Sequence, residues 1–119
     1  MADEITITTG LSCTNGSLKI LNSTTSIKYD QATARGGQPG VLNIGTSEET
    51  VTFTDITPGW SILTNLDSTN FVDLGFSTGV YGLTLPAGAQ CVVKFKSGMT
   101  LYAKADTAAV DLQIVSLSD

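Results

Sequence analysis

An all-β, antiparallel β-sandwich of jelly-roll-like form, built from eight to ten short strands, is the fold this sequence predicts. Three observations predict it. Apolar and polar residues alternate with a period of two along almost the whole chain. Turn residues punctuate that alternation about every 8 to 12 positions. The turns are too short to carry a parallel crossover, which needs about a dozen residues or more. An immunoglobulin-like sandwich stays open beside the jelly roll at this point.

The elements follow in order. Ile5 and Ile7 alternate with Thr6 and Thr8 as a first strand, and Asn15-Gly16 marks a hairpin turn before Leu18 and Ile20. Ile27 and Tyr29 come after a polar stretch. Residues 30–40 read as the one loop longer than a turn, with three Gly, a Pro and the sole arginine, Arg35. Val41 and Ile44 resume the alternation, and Glu49 to Thr54 alternates strictly. Thr57-Pro58-Gly59 reads as a turn into a heavier, central strand carrying Trp60, Ile62, Leu63 and Leu66. Asp67 to Asn70 turns into a strand over 71–76, and Ser77-Thr78-Gly79 leads to Tyr81 through Leu85. Pro86-Ala87-Gly88 precedes Cys91 to Phe95, Ser97-Gly98 precedes Leu101 to Ala105, and Val110 to Ile114 forms a last strand. No break in composition divides the chain, so residues 1–119 read as one sandwich domain. Residues 1–15 read either as an edge strand of it or as an arm extended onto a neighbour.

Charge narrows the function classes. Six Lys and Arg stand against 11 Asp and Glu, a formal net charge of −5, which repels a polyanion and argues against nucleic acid. No segment approaches the roughly 18 consecutive apolar residues of a membrane span. Met1-Ala2-Asp3-Glu4 lacks the basic-then-apolar order of a signal peptide, so synthesis and retention in a cytoplasm are expected. Charged residues make up 14% of the chain against about 25% in ordinary soluble domains, while Thr (18) and Ser (11) are plentiful. That weakly charged exterior suits a protein that sits against neighbours.

Chemistry finds little to stand on. There is no histidine, the usual base of nucleophilic sites, and no enzyme activity is expected. Asp67 and Asp73 flank a turn as a glycosidase pair would, yet Asp67 and Asn70 read better as turn residues that bond their own backbone. Asn65, Asp67, Asn70 and Asp73 offer oxygen ligands without the order of a calcium loop, so neither metal nor cofactor is expected. Gly36 to Gly40 is glycine-rich but lacks the Lys-Ser/Thr of a phosphate loop. Cys13 and Cys91 belong to no C-x-x-C pair and read as two reduced, buried thiols, with a bond between them left open. Trp60, Tyr81 and Tyr102 read as core or inter-subunit packing, ahead of a sugar platform. Interface anchors are expected at Arg35, Trp60 and Tyr102.

The run from Pro58 to Gly75 (PGWSILTNLDSTNFVDLG), the turn Leu85-Pro86-Ala87-Gly88 and the hairpin from Leu101 to Val110 (LYAKADTAAV) resemble small structural proteins of tailed bacteriophages, of the capsid decoration or cement kind. The likeness covers the chain from about residue 58 onward, and the turn carries one Ala more than the family's pattern. It implies a β-sandwich virion component and fixes no exact place in the particle. Taken with the low charge, the missing catalytic residues and the cytoplasmic start, the expectation is a protein made in the host cytoplasm and placed on the capsid surface. Its partner would be the major capsid protein lattice, bound over three-fold junctions as a homotrimer. A neck, collar or tail ring component is the alternative within the virion, and a carbohydrate-binding β-sandwich module the alternative of another class.

Overall fold

A computed structural model describes residues 3–23, 26–54 and 56–118. Among them are twelve strands and no helix: β1 Ile5–Ile7, β2 Gly10–Asn15, β3 Leu18–Ser23, β4 Ile27–Tyr29, β5 Gly36–Ile44, β6 Glu49–Val51, β7 Pro58–Asn65, β8 Val72–Gly75, β9 Leu83–Leu85, β10 Gln90–Lys94, β11 Leu101–Ala105 and β12 Val110–Ser118. Every pairing is antiparallel. The chain divides into two compact units, Met1–Thr33 and Ala34–Asp119.

The first unit holds two strand pairs. β1 pairs with β4, Ile5 opposite Tyr29 and Ile7 opposite Ile27. Their ends are tied by the backbone N–H of Asp3 donating to Asp30 Oδ1 at 2.8 Å and that of Gln31 to Glu4 Oε1 at 3.0 Å. β2 and β3 form a hairpin with Asn15 opposite Leu18, so its two-residue loop is Gly16-Ser17. Gly16 alone takes a positive φ there, +59°, which gives a turn with glycine at the first loop position, the type II′ arrangement.

The second unit is a sandwich of two four-stranded sheets. Sheet I has the order β10-β7-β12-β5 and sheet II the order β6-β11-β8-β9. The pairings are nested: β5 with β12, β6 with β11, β7 with β10, and β8 with β9. The second unit is thus one long hairpin, with its tip between β8 and β9, wrapped so that its strands from β5 to β8 and from β9 to β12 alternate between layers. Val110, Leu112 and Ile114 of sheet I meet Val72, Leu74, Leu101 and Ala103 of sheet II, all at 1% exposure or less. Full burial of such aliphatic side chains stabilises by roughly 1.5–3 kcal/mol each relative to exposure. Trp60 to Leu66 was expected to hold a central strand, and β7 does lie between β10 and β12.

The polar groups inside are matched. Asn65, fully buried at the end of β7, donates from Nδ2 to the carbonyls of Asn70 and Leu85, both at 2.9 Å, and accepts the Asp67 N–H on Oδ1 at 2.8 Å. Ser61 Oγ lies 2.8 Å from Ser116 Oγ and 3.1 Å from the Gly59 carbonyl. With one hydroxyl hydrogen each, Ser116 donates to Ser61 and Ser61 to the carbonyl.

Three local expectations need correction. Residues 36–40 are strand, not loop. β5 is an edge strand, so the N–H that Pro39 lacks faces no partner, while Gly37 and Gly40 supply φ of +87° and +89°. Pro58 and Gly59 likewise begin β7 in place of a turn, the Gly59 carbonyl accepting the Phe95 N–H at 3.0 Å. The cysteines are both free thiols, but Cys13 is exposed and Cys91 only half-buried. Cys13 sits on a hairpin where a period of two has no core to face.

Candidate interaction surfaces

The expected anchors fall in two places. Trp60 lies on β7, where Gly59, Ser61, Leu63 and Asn65 point inward and Trp60, Ile62 and Thr64 outward. Arg35 is exposed at the start of β5, and its carbonyl accepts the N–H of Ser118, which pairs with Pro58. Arg35 and Trp60 therefore belong to one end of sheet I. Tyr102 belongs elsewhere, on β11 between the inward Leu101 and Ala103, on the outer face of sheet II.

The two outer faces differ in chemistry. On sheet II the outward positions are Thr50, Tyr102, Lys104, Asp73 and Thr84, with no aliphatic side chain. That is the ordinary solvated face of an antiparallel sheet. On sheet I, Val92, Ile62 and Val115 stand opposite one another in a single row across β10, β7 and β12. Trp60 is beside Lys94 in the next row, and Val41 is 55% exposed on β5. Arg35, Trp60 and Lys94 each have a further interaction within the chain.

The hairpin of the first unit is another exposed apolar surface. All twelve residues of β2 and β3 are exposed. Partners share a face, so Leu11, Cys13, Leu18 and Ile20 line one side and Ser12, Thr14, Lys19 and Leu21 the other. Leu11 is 73% and Leu21 79% exposed.

The candidate carboxylates are engaged in holding loops. Asp67 Oδ2 accepts the N–H groups of Asn70 at 2.6 Å and Thr69 at 2.9 Å, which keep its carboxyl below the ordinary range. Asp73 points outward from β8 across from Lys104 and Thr84. Glu48 Oε1 accepts the Tyr81 hydroxyl at 2.5 Å and the Gly79 N–H at 2.7 Å. Those two bonds hold Glu48 low, and the same hydrogen bond to Glu48 pushes Tyr81 up to about 12. Burial raises the Cys91 thiol. Among the described residues, no three His, Cys, Asp or Glu side chains converge as a metal cluster.

Two surfaces escaped the sequence reading, and only one left a signal in it. Ile62-Leu63, Val92-Val93 and Ile114-Val115 are apolar doublets within strands, and a strand apolar at successive positions is apolar on both faces. The hairpin's alternation looked like any half-buried strand. No family model, curated protein or solved structure matches the chain.

Proposed function

We propose that the chain is a structural virion protein of a tailed bacteriophage, most simply a capsid decoration or cement protein that binds the outside of the major-capsid lattice and stabilises the head. The virion assignment rests on the resemblance of residues 58–110. The nested strand pairing supports the jelly-roll form of the sandwich over the immunoglobulin-like one.

The observation that carries the mechanical role is the β2–β3 hairpin, which leaves Leu11, Leu18, Ile20 and Leu21 in solvent. A lone two-stranded hairpin is marginal in water and needs a further surface to bury its apolar side. Attachment to a lattice supplies that surface, and many weak copies acting together resist the outward pressure on a shell. The chain works as a homo-oligomer in this reading.

Particles made without the chain should release their DNA at a lower temperature than complete particles. Adding back the purified chain should restore the difference, and a Leu18→Ser, Ile20→Ser variant should fail to. Finding the chain in the tail fraction would move it to a neck, collar or tail ring. Its absence from particles, with glycan binding lost on Trp60→Ala, would replace the virion reading by a carbohydrate-binding module.

A further inference from the structure

Sheet I has an outer face that ordinary solvation does not explain. Three adjacent strands each carry an apolar doublet. One member of each, Leu63, Val93 and Ile114, goes to the core side. The register then brings the other members, Val92, Ile62 and Val115, into one continuous row, with Trp60 in the row on one side and Gln90, Thr64, Gln113 and Val41 in the row on the other. Sheets whose strands are apolar on both faces are covered on both faces. Sheet II, in the same unit, keeps a polar exterior and acts as the internal comparison.

We propose that the outer face of sheet I packs face to face against the same face of a second copy, forming a two-fold homodimer. Charge selects that occupant. A chain of net charge −5 repels its own copies, so a self-contact belongs on a face whose charges balance, and of the two balanced outer faces only that of sheet I carries an apolar row. The outer face of sheet I carries Lys94 and Asp111, of opposite sign, and Asn43 Nδ2 donates to Asp111 Oδ1 at 2.9 Å. A basic partner would be met by exposed carboxylates, not by this near-neutral patch.

Size agrees with the same occupant. Four strands about 4.8 Å apart and some seven residues long span roughly 19 by 24 Å, or about 600–700 Å² of accessible surface once side-chain relief is counted. Two copies together bury about 1,200–1,400 Å², the lower end of specific interfaces. Aligned sheets about 10 Å apart accommodate interdigitating Val, Ile and Trp side chains, and the isologous contact closes at two copies. This inference stands independently of the virion reading.

The test is sedimentation equilibrium of the full chain over about two decades of concentration, read beside the emission of its single tryptophan. The expected mass rises from 12.4 kDa to twice that value, and Trp60 emission shifts to longer wavelength on dilution with the same midpoint. Ile62→Lys should weaken association by at least about 100-fold, while Thr84→Lys on the outer face of sheet II leaves it unchanged. Should Ile62→Lys fail to fold, Val41→Lys takes its place, and the dilution readout needs no substitution. A chain that stays at 12.4 kDa throughout overturns the proposal. So does an assembly of three copies, or one whose formation leaves Trp60 emission unmoved.

Discussion

Asn65 shows how much one side chain can hold when it is buried and fully matched. Its amide joins the end of β7 to the Asp67–Asn70 turn and to β9, through partners five and twenty residues away. Asn65→Leu keeps the branch at Cγ in a bulkier side chain and leaves the carbonyls of Asn70 and Leu85 and the N–H of Asp67 without their partner. Orphaned buried groups cost about 1–3 kcal/mol each before relaxation, so a loss of about 2–4 kcal/mol is expected. The check is a fall in the urea midpoint with an unchanged slope, and a change under about 1 kcal/mol would show that water replaces the amide. The turn itself was legible in the sequence, because Asp67 to Asn70 is Asx chemistry confined to four residues. The role of Asn65 was not, since a bond to Leu85 depends on how the sandwich closes. Arg35 and Trp60 share an end of sheet I for the same kind of reason, and Tyr102 lies on the other sheet.

At the scale of the element, alternation placed β7, β8, β11 and β12 well, since these strands have one strictly buried face. It placed β5 poorly, because an edge strand tolerates the Gly and Pro that elsewhere mean a loop. Glycine inside a strand can also mark a close approach, and Gly75 does so. A Cβ there would run into the Val80 carbonyl, brought near by the bridge between Ser77 and Val80. Gly75→Ala should therefore destabilise the chain by about 2 kcal/mol or more, or displace the β8–β9 connection. Gly82→Ala, with nothing within 4 Å of the added carbon, should change stability by no more than about 0.5 kcal/mol. Equal thermal midpoints for the two variants would remove the steric argument.

For the whole molecule, pH sets limits on both sides through two loop ties. Asp67 and Glu48 are held below their ordinary 3.8 and 4.5, the first mainly by the Asn70 N–H and the second mainly by the Tyr81 hydroxyl. A depressed carboxyl contributes stability that is present above its ordinary pKa and lost as pH falls through the folded value. Tyr81, raised from 10.0 to about 12 chiefly by its bond to Glu48, works in the other direction. Its contribution is complete below pH 10.0 and is lost as pH climbs through about 12. With the Cys91 thiol, raised from 9.0 by burial, joining Tyr81 on the alkaline side, stability should be flat between about pH 5 and 9 and fall on either side. Glu48→Gln should soften both limits, and ultraviolet titration should show a late tyrosine ionisation, near pH 12, that the Tyr81→Phe variant lacks. The absence of any such late step would contradict the tie.

The nested pairing has a consequence for how the protein is made. β12, the last strand of the body to be synthesised, is not added to an edge of sheet I but sits between β7 and β5. Until it leaves the ribosome, β5 has no partner, and β7 lacks the neighbour on one side. The body then cannot close strand by strand behind the ribosome, and β7, with its Ile62-Leu63 doublet, waits with an open edge. Pairings of such large sequence separation form slowly and expose intermediates to association. Speed of translation and dilution of nascent chains, rather than final stability, would then govern the yield of folded protein in a cell.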